Sequence, residues 1–146
     1  MAAGSLAFTV PYNGIMRRLV CDAAVSSAAP GKSAKTVRAL LDTGATCSCV
    51  TENLARELKL VKAGNITIKS ATDTRLVPCY AVKLILPNSI TEIAAVVEIV
   101  KSDDTDIIIG MDIISKGDFA VSNYNGKTQF SFRTPSKGNI DFQKHK

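Results

Sequence analysis

Apolar and polar residues alternate along this chain over short stretches, with turn signals about every ten residues. Residues 6–10, Leu-Ala-Phe-Thr-Val, make the first stretch, closed by Pro11-Tyr12-Asn13-Gly14. Ile15 to Val25 predicts a longer strand. Thr36 to Leu41 alternates with Val37, Ala39 and Leu41 on one face. Ile66 to Lys69 and Pro78 to Leu86 flank the polar stretch Ser70-Ala71-Thr72-Asp73-Thr74-Arg75, which predicts a hairpin with a polar tip. Ile90 to Val100 is largely β-branched and apolar on both faces, which predicts a strand buried on both sides. Ile107-Ile108-Ile109 reads as a short buried strand meeting Gly110. Phe119–Asn123 and Thr128–Arg133 alternate around Asn125-Gly126, a strong hairpin signal.

Helical spacing is scarce. Thr51 suits an N-cap for a helix of about two turns, with Leu54 and Leu58 on one face and Gly64-Asn65 ending the unit. Met111 to Lys116 makes a helical turn that Gly117 stops. Ser26–Lys35 and Lys101–Asp106 read as loops. Residues 134–146 form a polar tail whose large apolar groups are Ile140 and Phe142. Short strands with one or two short helices predict a mainly β, compact, barrel-like domain over residues 1–146.

Composition narrows the class. Hydrophobic residues make up 46% and charged residues 21%, which is a globular balance. The net charge of +5 is spread along the chain, and no basic block is interleaved with aromatic residues, so no nucleic-acid partner is implied. Residues 1–10 lack the basic start of a secretory signal. The most apolar stretch, Ala81 to Val100, is broken by Lys83, Pro87, Asn88, Glu92 and Glu98. The expectation is a soluble, cytoplasmic protein with no membrane partner. Cys21, Cys47, Cys49 and Cys79 form no C-x-x-C pair, and His145 is the single histidine. Reduced, mostly buried thiols are expected rather than zinc, with Cys47 and Cys49 read as packing residues. Asp103, Asp104 and Asp106 lack the remaining ligands of a calcium loop. Gly31-Lys32-Ser33 lacks the earlier glycine of a phosphate loop, since that position is Ser26.

The chemistry concentrates at Leu40-Leu41-Asp42-Thr43-Gly44-Ala45-Thr46. A carboxylate follows two apolar strand residues, and Gly44 can bring backbone N–H groups close to it. Such a group can be tuned for acid–base work. A strand end capped by an Asx-type turn is the plain alternative. Amide hydrolysis by carboxylates needs two of them, one ionised and one neutral. Asp73-Thr74-Arg75 and Asp104-Thr105-Asp106 lack the glycine, so the second carboxylate must come from a second chain. With His145 in the tail, Ser–His–Asp and Cys–His arrangements are poorly supplied.

The order of elements over about residues 15–133 resembles that of retropepsin-like aspartic proteases. Two places carry the resemblance: Asp42-Thr43-Gly44-Ala45 after two apolar residues, and the apolar run ending in Gly110, 68 residues later, followed by Met-Asp-Ile-Ile. They resemble the two halves of that family's ψ-shaped loop. The resemblance implies a closed, barrel-like acid-protease fold and an aspartic endopeptidase acting on peptides or proteins. It also implies a homodimer with one aspartate per subunit and no metal or organic cofactor. It assigns Asp42, Thr43 and Gly44 to catalysis, with Thr43 bonding across the two-fold axis. Ala45, Ile109 and Gly110 become loop supports, and Ser70, Ala71, Thr72 and Asp73 a substrate-binding flap. Ala45 supplies no hydroxyl to the carboxylates, which suits work nearer neutral pH. Ile68, Leu76 and Val77 are candidates for specificity pockets.

Two departures from the viral pattern keep other readings open. Ser70 to Thr74 contains no glycine, and the tail is polar and basic where viral enzymes end in dimer-knitting strands. Phe142 or the N-terminal strand is a substitute for those strands, or the dimer is weak. A catalytically silent peptide-binding or scaffolding domain of the same fold is the alternative function. An unrelated β-domain with a coincidental triplet is the third.

Overall fold

The computed structural model describes residues 6–144, so His145 lies outside the described residues. In chain order the strands are β1 (Leu6–Pro11), β2 (Leu19–Ser27), β3 (Lys35–Leu41), β4 (Cys49–Thr51), β5 (Lys62–Lys69), β6 (Thr74–Leu86), β7 (Ile90–Ile99), β8 (Ile107–Ile109), β9 (Asp118–Ser122) and β10 (Gln129–Thr134). Helix α1 (Glu52–Glu57) follows β4, and α2 (Met111–Ile114) follows β8.

Strands β2, β3, β8, β4, β7 and β6 are neighbours in that order, and β6 returns to pair with β2 through Ala24–Ser27 and Val82–Ile85. Six strands therefore close into a barrel, which leaves none of them with a free edge along that circuit. Strand β5 adds to the other side of β6 and makes the projecting hairpin. Two pairings are parallel, β3 with β8 and β4 with β7. Parallel neighbours need long connections, and the chain between Leu41 and Ile107 supplies one. This is why two segments far apart in sequence meet beside Asp42.

The alternation has its expected consequence in the barrel. Val37, Ala39 and Leu41 of β3 point into the core with Val25, Val50, Leu84, Val96, Ile107 and Ile109. A second sheet, ordered β1-β10-β9, closes one end with phenylalanines. Phe8 and Phe130 meet edge to face at 5.9 Å, and Phe119 and Phe132 pack around them. Such aromatic pairs add about 1 kcal/mol each beyond the area they bury.

The helix predicted after Thr51 is present, with the Thr51 hydroxyl accepting from the Leu54 N–H. Other boundaries shift for identifiable reasons. Strand β2 starts at Leu19, because residues 12–18 are drawn toward β10. Tyr12 N–H donates to the Thr128 carbonyl, Met16 N–H donates to the Thr128 hydroxyl, and Ile15 and Met16 stay exposed. Gly64 and Asn65 do not end a unit; they lie within β5, where a register shift between Lys62 and Gly64 marks a bulge. Strand β7 is buried on both sides only at Val96 and Val97. Ile90, Val96 and Val97 are buried, but Ile93 is 59% exposed, because a barrel wall has one inward face. Strand β4, three residues long, had no pattern to announce it.

The tail is tied down where it leaves β10. The Asp118 carboxylate accepts from the Arg133 guanidinium, the Ser136 hydroxyl and the Lys137 N–H. Phe142 is exposed, and β1 pairs with β10 of its own chain. No helix among the described residues is long and apolar enough to cross a membrane.

Candidate active site

Asp42 is the first residue past β3, yet its backbone continues the β3–β8 pairing. Leu41 stands opposite Ile109, and the Asp42 N–H donates to the Ile109 carbonyl at 2.9 Å. The chain then turns. Ala45 N–H donates to the Asp42 carbonyl at 3.1 Å, and Gly44 N–H donates to Asp42 Oδ1 at 2.9 Å. One carboxylate oxygen is thus held by a backbone donor, while the side chain stays half-buried and reachable. A Cβ at residue 44 would stand 3.2 Å from that oxygen, so glycine permits the close approach.

Gly110 holds the loop from the other side. A Cβ there would lie 2.7 Å from the Ala45 carbonyl oxygen and 2.9 Å from the Cys47 carbonyl carbon and oxygen. These are backbone atoms and cannot swing aside. Met111 N–H donates to the Ala45 carbonyl at 2.8 Å. Asp42, Thr43, Gly44, Ala45, Ile109 and Gly110 therefore come together as one substructure.

Two residues that sequence reasoning missed complete it. Ser48 is fully buried. Its hydroxyl accepts from the Gly110 N–H at 3.0 Å and donates to Asp112 Oδ1 at 2.8 Å, while its N–H donates to Asp112 Oδ2 at 3.0 Å. The partners are 64 residues apart, so no local pattern could pair them. The serine inside Cys-Ser-Cys and the aspartate two residues after Gly110 were the available signals.

Of the two neighbouring cysteines, Cys49 packs as expected and Cys47 does not. Cys47 is exposed and packs no core, because the loop turns it outward. Cys49 is half-buried against Val77, Cys79 and Val97, together with Ile66 and Ile68, in a small apolar cluster separate from the barrel core. Burial raises the Cys49 thiol pKa, and the charges of Cys47, Asp112 and Asp42 push it the same way. Of the three candidate pocket residues, Val77 and Ile68 join this cluster, whereas Leu76 is 69% exposed.

The predicted hairpin is formed by β5 and β6, with Ser70–Asp73 at its tip. Ser70 N–H donates to the Asp73 carbonyl and Asp73 N–H donates to the Ser70 hydroxyl, so these bonds stay within the turn. All four tip residues are exposed. Beside Asp42 lies a cavity of about 310 Å³, lined by Arg17, Arg18, Leu19, Leu40, Leu41, Asp42 and Thr43.

A family model described as gag-polyprotein putative aspartyl protease matches residues 32–116. The chain belongs to this family. The matched stretch is more than half of the chain and holds both Asp42 and Gly110. Solved structures agree on the fold. The crystal structure of a retropepsin-like aspartic protease from Rickettsia conorii aligns with a TM-score of 0.57 at 11% identity, covering 90% of this chain and 96% of that one. The solution structure of simian foamy virus (mac) protease aligns with 0.50 at 16%, over 66% of this chain and 92% of that one. EIAV protease in complex with an inhibitor aligns with 0.50 at 19%, over 71% and 90%. No curated protein sequence matches the chain. The family member described here thus has the retropepsin-like fold, a closed six-stranded barrel with two short helices.

Proposed function

We propose that the chain is an aspartic endopeptidase that works as a homodimer, with a water activated between Asp42 and a second copy of Asp42. One observation carries the reading. The carboxylate stands half-buried on a loop whose backbone is hydrogen-bonded on both sides, with one oxygen fixed by the Gly44 N–H. Rigid presentation of a reachable carboxylate is what acid–base work requires. Membership of the family supports the same class of chemistry.

Two such carboxylates close together cannot both ionise, so they share one proton. The ionised one takes a proton from water as the water attacks the peptide carbonyl carbon. The neutral one donates its proton to the carbonyl oxygen. Collapse of the tetrahedral intermediate breaks the C–N bond, and a proton passes to the leaving amine. In this reading Thr43 bonds across the axis, and Gly44 provides a backbone donor. Ala45, Ile109 and Gly110 support the loop, and Ser70–Asp73 close over the substrate.

The test is Asp42→Asn, alone and mixed with wild type, on a diverse peptide library. The variant alone cleaves nothing. Because chains pair at random, a ninefold excess of variant lowers the activity of a fixed amount of wild type by about tenfold when dimers are fully formed. Undiminished activity in the mixture refutes the two-chain site. Cleavage by the variant alone refutes Asp42 as catalyst. A peptide-binding domain without cleavage is the second reading, favoured by the glycine-free hairpin tip whose bonds close on themselves. Peptide binding by wild type without any cleavage supports it.

A further inference from the structure

We infer that Arg17 selects peptides carrying an acidic side chain close to the bond at Asp42; this rests on the peptide-site reading above. The cavity beside Asp42 joins two segments. Leu40–Thr43 forms one wall and Arg17–Leu19 the other. Leu19 stands opposite Leu41 in the antiparallel pairing of β2 and β3. Arg17 lies two residues before β2, outside that pairing, and borders the same cavity as Thr43, at the start of the turn that carries Gly44.

The two arginines are not equivalent. Arg18 is committed: its guanidinium donates to Asp104 Oδ1 at 2.5 Å and to the Asp103 carbonyl at 2.9 Å. Arg17 is exposed and has no ion-pair partner among the described residues. Arg18's pairing also removes Asp104, a nearby carboxylate, from competition. A free guanidinium therefore borders the cavity that holds Asp42. The other lining is Thr43 and three leucines; Leu19 and Leu41 pack on the barrel core, and Leu40 stays half-buried at the cavity. A glutamate side chain fits this chemistry, with its methylenes on Leu40 and its carboxylate on the planar donor fork of Arg17. The net charge of +5 adds a general attraction for acidic peptides. In a two-fold dimer each chain brings one such cavity, so the preference falls on both sides of the cleaved bond.

The experiment uses peptide pairs that differ only by Glu→Gln, placed in turn at each position within about three residues of a cut site, the reach of one arginine side chain from the reacting carboxylate. Cleavage is measured with wild type, Arg17→Gln and Arg17→Lys. Binding of the same pairs is measured with the Asp42→Asn protein by fluorescence anisotropy, with and without Arg17→Gln. Wild type favours Glu over Gln by about tenfold in kcat/KM at one or more positions, the scale of one hydrogen bond to a charged group. Arg17→Gln brings that ratio close to one, and Arg17→Lys keeps part of it. Added salt shrinks the preference.

Cleavage without discrimination, or discrimination that persists in Arg17→Gln, overturns this inference and leaves the peptidase reading standing. Selective, Arg17-dependent binding without cleavage by wild type supports the inference and removes the peptidase. Neither cleavage nor binding overturns both.

Discussion

Replacing Ser48 with alanine should loosen the loop that carries Asp42 without touching Asp42 itself. The hydroxyl makes two bonds in a fully buried position, accepting from Gly110 N–H and donating to Asp112. Alanine leaves the Gly110 N–H without an acceptor, which costs about 1–3 kcal/mol. It also removes a bond to a carboxylate, about 1.5–3 kcal/mol where the group is shielded. Asp112 is only half-buried and keeps the Ser48 and Ile113 N–H donors, so the second figure belongs at its lower end. The expected destabilisation is about 3 kcal/mol, a fall in Tm of about 10 °C for a chain of this size.

The assay is urea unfolding at fixed protein concentration, since a dimer's stability depends on it. Asp112→Ala and the double variant complete a cycle. Because both single changes break the same bond, the double variant should lose about 1–2 kcal/mol less than the two singles added together. Peptidase activity should fall in all three at temperatures where they remain folded, because the loop's geometry relaxes. A Ser48→Ala protein within about 0.5 kcal/mol of wild type, or strict additivity in the cycle, refutes the reasoning.

Gly110→Ala should be worse, because its Cβ would stand 2.7 Å from a backbone oxygen of the loop that carries Asp42; a loss of about 3 kcal/mol or more and, on the proposed function, of activity is expected by thermal melting and peptide cleavage. The Ser136 hydroxyl first, then the Lys137 N–H and Arg133, hold the Asp118 carboxyl well below the usual carboxylate range. Its folded pKa lies below its unfolded one, so this contribution is complete above about pH 4 and fades as pH falls further. Asp118→Asn should accordingly flatten the loss of stability between about pH 4 and pH 2, measured by urea unfolding across pH. Burial pushes the Cys21 thiol up to about 12, with the Asp22 charge adding to it, so a thiol reagent near neutral pH should label exposed Cys47 first and Cys21 only after unfolding, read by mass spectrometry.

Local pattern and local chemistry were legible in the sequence because each depends on neighbours. The alternation at Val37, Ala39 and Leu41 fixed a core face that the barrel uses, and Thr51 capped the helix it was expected to cap. The hairpin at Asn125-Gly126 needed only its turn: both central residues have positive φ, 53° at Asn125 and 71° at Gly126. Failures came where a distant partner decides. Ile15 and Met16 have strand composition, but Thr128 draws that segment away from β2's partner. Ile93 is apolar yet exposed, because β7 lies in a wall with one inward face. Gly64 suggested an ending, but β6 offers β5 a partner on both sides of the bulge.

The loop that carries Asp42 joins these two cases. Residues 42–48 belong to no strand, and a loop beside a core would ordinarily leave backbone groups unpaired. Here the partners come from two remote segments. Ile109 and Met111 take the Asp42 N–H and the Ala45 carbonyl; Val97 N–H donates to the Ser48 carbonyl; Asp112 takes the Ser48 N–H. The triplet Asp42-Thr43-Gly44 announces where a carboxylate can be presented, since turn chemistry is local. Holding it still depends on parallel pairings that bring β8 beside β3 and β7 beside β4. Those pairings exist only after the intervening chain has folded. The position of the carboxylate is thus readable from seven residues, whereas its rigidity is a property of the closed barrel, and substitutions at Ser48, Gly110 and Asp112 act on that rigidity.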